Sequence, residues 1–142
     1  MPPRTPQCLP LLAFMCLSVP AIDATTSQPA TRPTTQPAGW RNVSVDEFQK
    51  LAKDRQNVIL DVRTPREFDI GHIRGAVNID LKSADFEKKI AQLDRSKTYL
   101  IYCRTGLRGT AAAKKMHSAG FKHLFNLDGG IAAWWQAGRP IR

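Results

Sequence analysis

The chain is poor in the residues that most often declare a function. Among its 142 residues there are three cysteines and three histidines, with no spacing that reads as a metal-ligand set. No metal or cofactor is therefore expected. Basic residues are in surplus, giving a formal net charge of +9, but they never gather. The longest runs are the pairs Lys88-Lys89 and Lys114-Lys115, and no aromatics interleave with them, so a nucleic-acid surface is not expected. A scattered positive surplus suits a small anionic substrate better. A bilayer-length apolar run is also missing. The longest, Cys8 to Val19, falls short of the roughly 20 residues a spanning helix needs.

That short run, with Arg4 before it and Ala21 and Ala24 after it, has the three-part layout of a secretory signal peptide, over residues 1–24. Export, most simply to a periplasm, and no permanent membrane anchor are the expectation. Cleavage removes Cys8 and Cys16 and leaves Cys103 as the single thiol, unable to form an internal disulfide and so either a free reactive thiol or a dimer link. Residues 25–39 are almost all Thr, Gln, Pro, Ala and Ser; they lack the apolar content to pack and read as a tether. A domain of about a hundred residues then runs from Trp40 to the end.

Within it, helix and strand signals alternate. Ser44-Val45-Asp46-Glu47 and Thr64-Pro65-Arg66-Glu67 are capping boxes, the second with proline at the first helical position. The first helix should reach about Asp54, with amphipathic helices over 84–93 and 110–118 and a last short one over 131–136. Short apolar strands are expected at 58–61, 76–79, 98–102 and 121–127. This pattern implies an α/β domain with a largely parallel sheet covered on both faces. Ligands bind such sheets beyond the strands' carboxyl ends, where Asp61-Val62-Arg63 and the segment after Tyr102 both fall.

That segment is Cys103-Arg104-Thr105-Gly106-Leu107-Arg108-Gly109. A cysteine at the mouth of a strand–loop–helix junction meets loop amides, a helix N-terminus and the guanidiniums of Arg104 and Arg108. All three favour thiolate over thiol. Gly106 and Gly109 are expected to let the amides turn inward. Asp61 either orients Arg63 or the Cys103 loop, or caps the turn after its strand. Arg63 and Glu67, four apart, are expected to form an ion pair. His72 reads as a turn residue, His117 and His123 as surface, Trp134 as core, and Trp135 as an exposed neighbour that hints at a partner surface.

Three segments together resemble the rhodanese family. They are Asp61-Val62-Arg63-Thr64-Pro65-Arg66-Glu67-Phe68 with Gly71-His72-Ile73-Arg74-Gly75-Ala76-Val77-Asn78-Ile79, then Tyr102-Cys103-Arg104-Thr105-Gly106-Leu107-Arg108, then Leu127-Asp128-Gly129-Gly130 with Trp134, Gly138 and Pro140. The resemblance spans about residues 40–142. It implies a single rhodanese-like domain in which Cys103 accepts a sulfane sulfur from thiosulfate or a similar donor and passes it to cyanide or a thiol. Arg104, Thr105, Gly106, Leu107 and Arg108 would bind the donor, with Asp61 and Arg63 in support. The alternatives are a non-catalytic binding or sulfur-carrier module, and a phosphatase or arsenate reductase relative. Those phosphatases carry arginine six positions after cysteine. Here Gly109 stands there and Arg108 comes one earlier, a shorter cradle suited to one sulfur.

Overall fold

The computed structural model describes residues 39–142; the expected signal peptide, and the tether apart from Gly39, lie outside them. Ten elements follow in order: β1 (Trp40–Val43), α1 (Val45–Ala52), β2 (Val58–Asp61), α2 (Pro65–Ile70), β3 (Val77–Asn78), α3 (Phe86–Ala91), β4 (Thr98–Tyr102), α4 (Leu107–Ser118), β5 (His123–Leu127) and α5 (Gly130–Gln136). The five strands form one sheet in the order β1-β5-β4-β2-β3, and every pairing is parallel.

Strand period decides which side chains reach which layer. Along β4, Tyr99 and Ile101 enter a core with Phe86 and Ile90 of α3 and Ala112, Ala113 and Met116 of α4. Leu100 and Tyr102 enter the opposite core with Phe48 of α1 and Ile131 and Trp134 of α5. Helices thus cover both faces, as the continuous apolar strands required. Cys103, the next residue in phase, falls on the α4 face.

Local signals placed most boundaries within a residue or two, and two elements differ for physical reasons. β1 has no counterpart in the sequence reading: Trp40 and Val43 are buried but Arg41 and Asn42 between them are exposed, so it lacks strand alternation. It exists because its backbone pairs with β5. α4 starts at Leu107 rather than 110 because Gly106, at φ +96°, reverses the chain there; that left-handed conformation suits glycine. α1 ends at Ala52, two residues before the expected Asp54.

Candidate active site

Parallel pairing brings the carboxyl ends of β2 and β4 together, with Asp61 opposite Tyr102. Asp61 is fully buried and grips Arg63. Its Oδ1 accepts from the Arg63 amide at 2.9 Å, and both its oxygens accept from Nε at 3.0 Å. Arg63 Nη2 donates to Asp61 Oδ2 at 2.6 Å and to the Gly71 carbonyl at 2.7 Å. Both expected roles of Asp61, turn cap and holder of Arg63, are therefore present in one side chain. Burial opposes the Arg63 charge, but the Asp61 carboxylate outweighs it and raises the pKa above its ordinary value. The Arg63 guanidinium also lies over the Tyr102 ring, 5.6 Å from its centroid. Tyr102 hydroxyl accepts from the Ile73 amide at 3.1 Å. Burial first, and then the Asp61 carboxylate, push the Tyr102 phenol above its usual range. The residue preceding Cys103 is thus anchored on three sides.

The expected Arg63–Glu67 pair does not form. Thr64 is the N-cap of α2, so Arg63 lies outside the helix and four-residue spacing no longer puts it on Glu67's face. Glu67 instead closes the capping box, accepting from the Thr64 amide at 3.2 Å, and reaches across to α4. There it accepts from both terminal nitrogens of Arg108, each at 2.8 Å. This two-pronged bond to Arg108 is the main reason the Glu67 carboxyl is held down to about 2. Glu67 likewise raises Arg108 above the ordinary guanidinium value, with the Cys103 sulfur a lesser contributor. Arg108 is therefore near the sulfur, but its fork is occupied.

Cys103 is 1 % exposed. Its Sγ accepts the Gly106 amide at 3.1 Å, so the loop does turn an N–H onto the sulfur. The first turn of α4 leaves the amides of Leu107, Arg108 and Gly109 without intrahelical acceptors, as any helix start does. Loop carbonyls point the other way: Cys103 O accepts from Ile131 N at 2.8 Å and Arg104 O from Ala132 N at 3.1 Å. The Gly106 amide thus faces the sulfur while the carbonyls of Cys103 and Arg104 face α5. Arg104 and Thr105 are exposed, and Leu107 is 80 % exposed.

One residue that sequence reasoning missed shapes this loop. Asn126 of β5 is buried, and its Nδ2 contacts Asn42 Oδ1 at 2.8 Å, Thr110 Oγ1 at 3.1 Å and the Gly106 carbonyl at 3.2 Å. Gly109 serves it, since a Cβ there would collide with Asn126 Oδ1. Gly109 lies within α4, so it makes room for Asn126 instead of turning amides inward. Its signal in the sequence is only a polar residue inside an apolar strand.

The remaining expectations lie around this rim. His72 stacks on Phe68, with ring centroids 3.8 Å apart, and its Nδ1 is 3.0 Å from the Phe68 carbonyl. Trp134 is buried, and Trp135 beside it is exposed. His123 is exposed, while His117 is half-buried and its Nδ1 lies 3.3 Å from the Phe121 carbonyl. Among the described residues no cluster of His, Cys, Asp or Glu is arranged to hold a metal. No helix there is long and apolar enough to cross a membrane.

The family model for the rhodanese-like domain matches residues 44–137. The chain is 34 % identical over 139 residues to the Mycobacterium tuberculosis protein named probable adenylyltransferase/sulfurtransferase MoeZ, covering 97 % of this chain and 33 % of that one. It thus spans about a third of that relative's length. It is 29 % identical over 100 residues to the thiosulfate sulfurtransferase GlpE of Shewanella oneidensis, covering 70 % of this chain and 97 % of GlpE. The crystal structure of a rhodanese-related protein from Thermoplasma volcanium superposes with a TM-score of 0.64 at 28 % identity, over 72 % of this chain and 97 % of that one. The matched segment holds the cysteine loop and four of the five strands, and the chain belongs to the rhodanese-like domain family.

Proposed function

We propose that the protein is a sulfurtransferase that carries a sulfane sulfur on Cys103. The reading is carried by one observation, a cysteine at a strand's carboxyl end whose Sγ receives the Gly106 amide at the start of a helix. In the first half-reaction the Cys103 thiolate attacks the outer sulfur of a donor such as thiosulfate. The donor's S–S bond breaks, sulfite leaves with the electron pair, and Cys103 becomes a persulfide. In the second, cyanide or a thiolate attacks the outer sulfur and Cys103 departs as thiolate. No proton shuttle is needed, and the loop amides supply positive potential to thiolate and persulfide alike. Arg104 is the exposed loop cation able to meet the donor's anionic end. Arg108, committed to Glu67, holds the loop against α2. That commitment also weighs against a phosphatase reading, which wants a free arginine fork at the cradle.

Residues 1–24 fit the same proposal as an export signal, with N-terminal sequencing of exported protein expected to begin near Ile22 or Thr25. The activity itself is tested by thiocyanate release from thiosulfate and cyanide. Parallel double-reciprocal lines are expected from the wild type and background rates from Cys103→Ser. Turnover well above background in a natively folded Cys103→Ser protein would defeat the proposal.

A further inference from the structure

Five large apolar side chains are exposed among the described residues: Ile70, Val77, Leu107, Trp135 and Ile141. Their distribution is uneven. Ile70, Trp135 and Ile141 line a single groove of about 400 Å3, together with Arg104, and Leu107 lies on the cysteine loop itself. Only Val77 is elsewhere. The three converge from the end of α2, the outer side of α5 and the C-terminal tail. Ile70 is 81 % and Trp135 68 % exposed, so neither packs in the core. Exposed apolar surface gathered at one place marks a contact surface, where scattered residues would need no explanation.

The groove also has a sign. Arg63 and Glu67 also line it, but each is already paired, with Asp61 and with Arg108. Arg104 is exposed and has no carboxylate partner among the described residues. Arg104, at the loop end, can serve an anionic donor, but the apolar remainder of the groove offers little to thiosulfate or cyanide. Both are small and hydrophilic, and the groove far exceeds them in size. A lipid surface would match the apolar residues and one cation but brings no nucleophile to Cys103.

We propose that this groove seats the sulfur acceptor as a polypeptide: a segment of another protein that presents its cysteine between apolar side chains, with a carboxylate nearby for Arg104. The inference rests on the sulfur-transfer reading above and names its acceptor class. Apolar side chains fill the space between Ile70, Trp135 and Ile141, and the carboxylate meets Arg104. The acceptor thiolate is thereby held at the persulfide. It attacks the outer sulfur, the Cys103 S–S bond breaks, and Cys103 leaves as thiolate while the acceptor cysteine becomes the persulfide. Electrons and atoms balance with no outside oxidant.

The test uses the full chain and two synthetic cysteine peptides. The probe places leucine and phenylalanine beside its cysteine and glutamate after them; the control carries serine at the apolar positions and lysine for glutamate. With thiosulfate as donor, the probe's kcat/KM should exceed the control's by about tenfold or more, the factor expected for burying one or two apolar side chains. In the Ile70→Ser/Trp135→Ser variant that advantage should vanish, while kcat/KM for cyanide stays unchanged. Docking is also read without chemistry. Trp40 and Trp134 are buried, so acrylamide quenching of tryptophan fluorescence reports mainly on Trp135. A probe with serine in place of its cysteine should shield Trp135, and the matching control should not.

Equal rates for the two peptides with Trp135 unshielded would overturn the proposal and leave sulfur transfer to cyanide standing. Shielding by phosphatidylglycerol vesicles but not by the probe would assign the groove to a membrane and overturn it equally. Shielding by the probe with no sulfur transferred to any acceptor would support the groove as a polypeptide site and sink the sulfur-transfer reading instead.

Discussion

Two ion pairs stand at the same rim of the sheet and do different work. In Asp61–Arg63 the side chains are 0 % and 7 % exposed. In Glu67–Arg108 they are 29 % and 25 % exposed. Asp61 and Arg63 lie two residues apart and knit the end of β2 to Gly71 through Arg63, with Tyr102 packed alongside. Glu67 and Arg108 are 41 residues apart and tie α2 to the first turn of α4. Depth sets the difference. A pair removed from water becomes an obligatory part of the scaffold, because either partner alone is a buried charge. A pair that water still reaches is a weaker tether that can be removed without unfolding the domain. The rim thus has a rigid half under Tyr102 and an adjustable half over the cysteine loop.

The largest expected effect breaks the rigid half. Asp61→Ala leaves the Arg63 charge buried and unpaired and should lower unfolding free energy by about 3–5 kcal/mol; urea denaturation reads it. A loss below that seen for Glu67→Ala would reverse the comparison. Next comes the loop cation that belongs to neither pair. Arg104→Ala should leave stability unchanged but lower kcat/KM for thiosulfate by about tenfold or more, the equivalent of losing a hydrogen bond of 1.5–3 kcal/mol to a charged group. Steady-state kinetics beside a melting curve separates the two effects.

Breaking the adjustable half should be milder. Glu67→Ala removes the α2 capping contact as well as the clamp on Arg108, and about 1–2 kcal/mol should be lost. The Arg108 fork then becomes free beside Cys103, so KM for thiosulfate is expected to fall. A rise in KM would mean that loop position, set by the clamp, matters more than charge.

The smallest effect is one of pH. Glu67 is depressed from 4.5 to about 2 in the folded protein. Its stabilising contribution is therefore complete above the unfolded value and is lost as pH falls from about 4.5 towards 2. With screening at this half-exposed site the loss should be about 1 kcal/mol. In Glu67→Gln that share of the acid dependence should disappear, as thermal melts between pH 2 and 6 would show.

The same contrast between local and distant partners explains what was legible in the sequence. The Thr64–Glu67 capping box, the proline start of α2 and the apolar runs of β2 and β4 depend on neighbours a few residues away, and they stand where the sequence put them. The cysteine loop was legible for the same reason, since strand, glycine and helix are contiguous. Partner choice was not. Arg63 and Glu67 have an attractive local spacing, yet each finds a better partner once α2 begins after Arg63 and Arg108 swings over it. Asn126 was invisible because its contacts, Asn42, Gly106 and Thr110, lie 84, 20 and 16 residues away. β1 escaped because a strand whose two central residues are exposed declares itself only through backbone pairing with β5.

Whether Cys103 carries the transferred sulfur is tested most directly by intact-mass measurement after exposure of the protein to thiosulfate, followed by peptide mapping. The mass should rise by one sulfur atom, the addition should map to the peptide containing Cys103, and cyanide should remove it with release of thiocyanate. Cys103→Ser, with a native circular dichroism spectrum, should show no addition. A protein that turns over thiosulfate while its Cys103 peptide stays unmodified, or a folded Cys103→Ser protein that still gains the sulfur, would contradict the account.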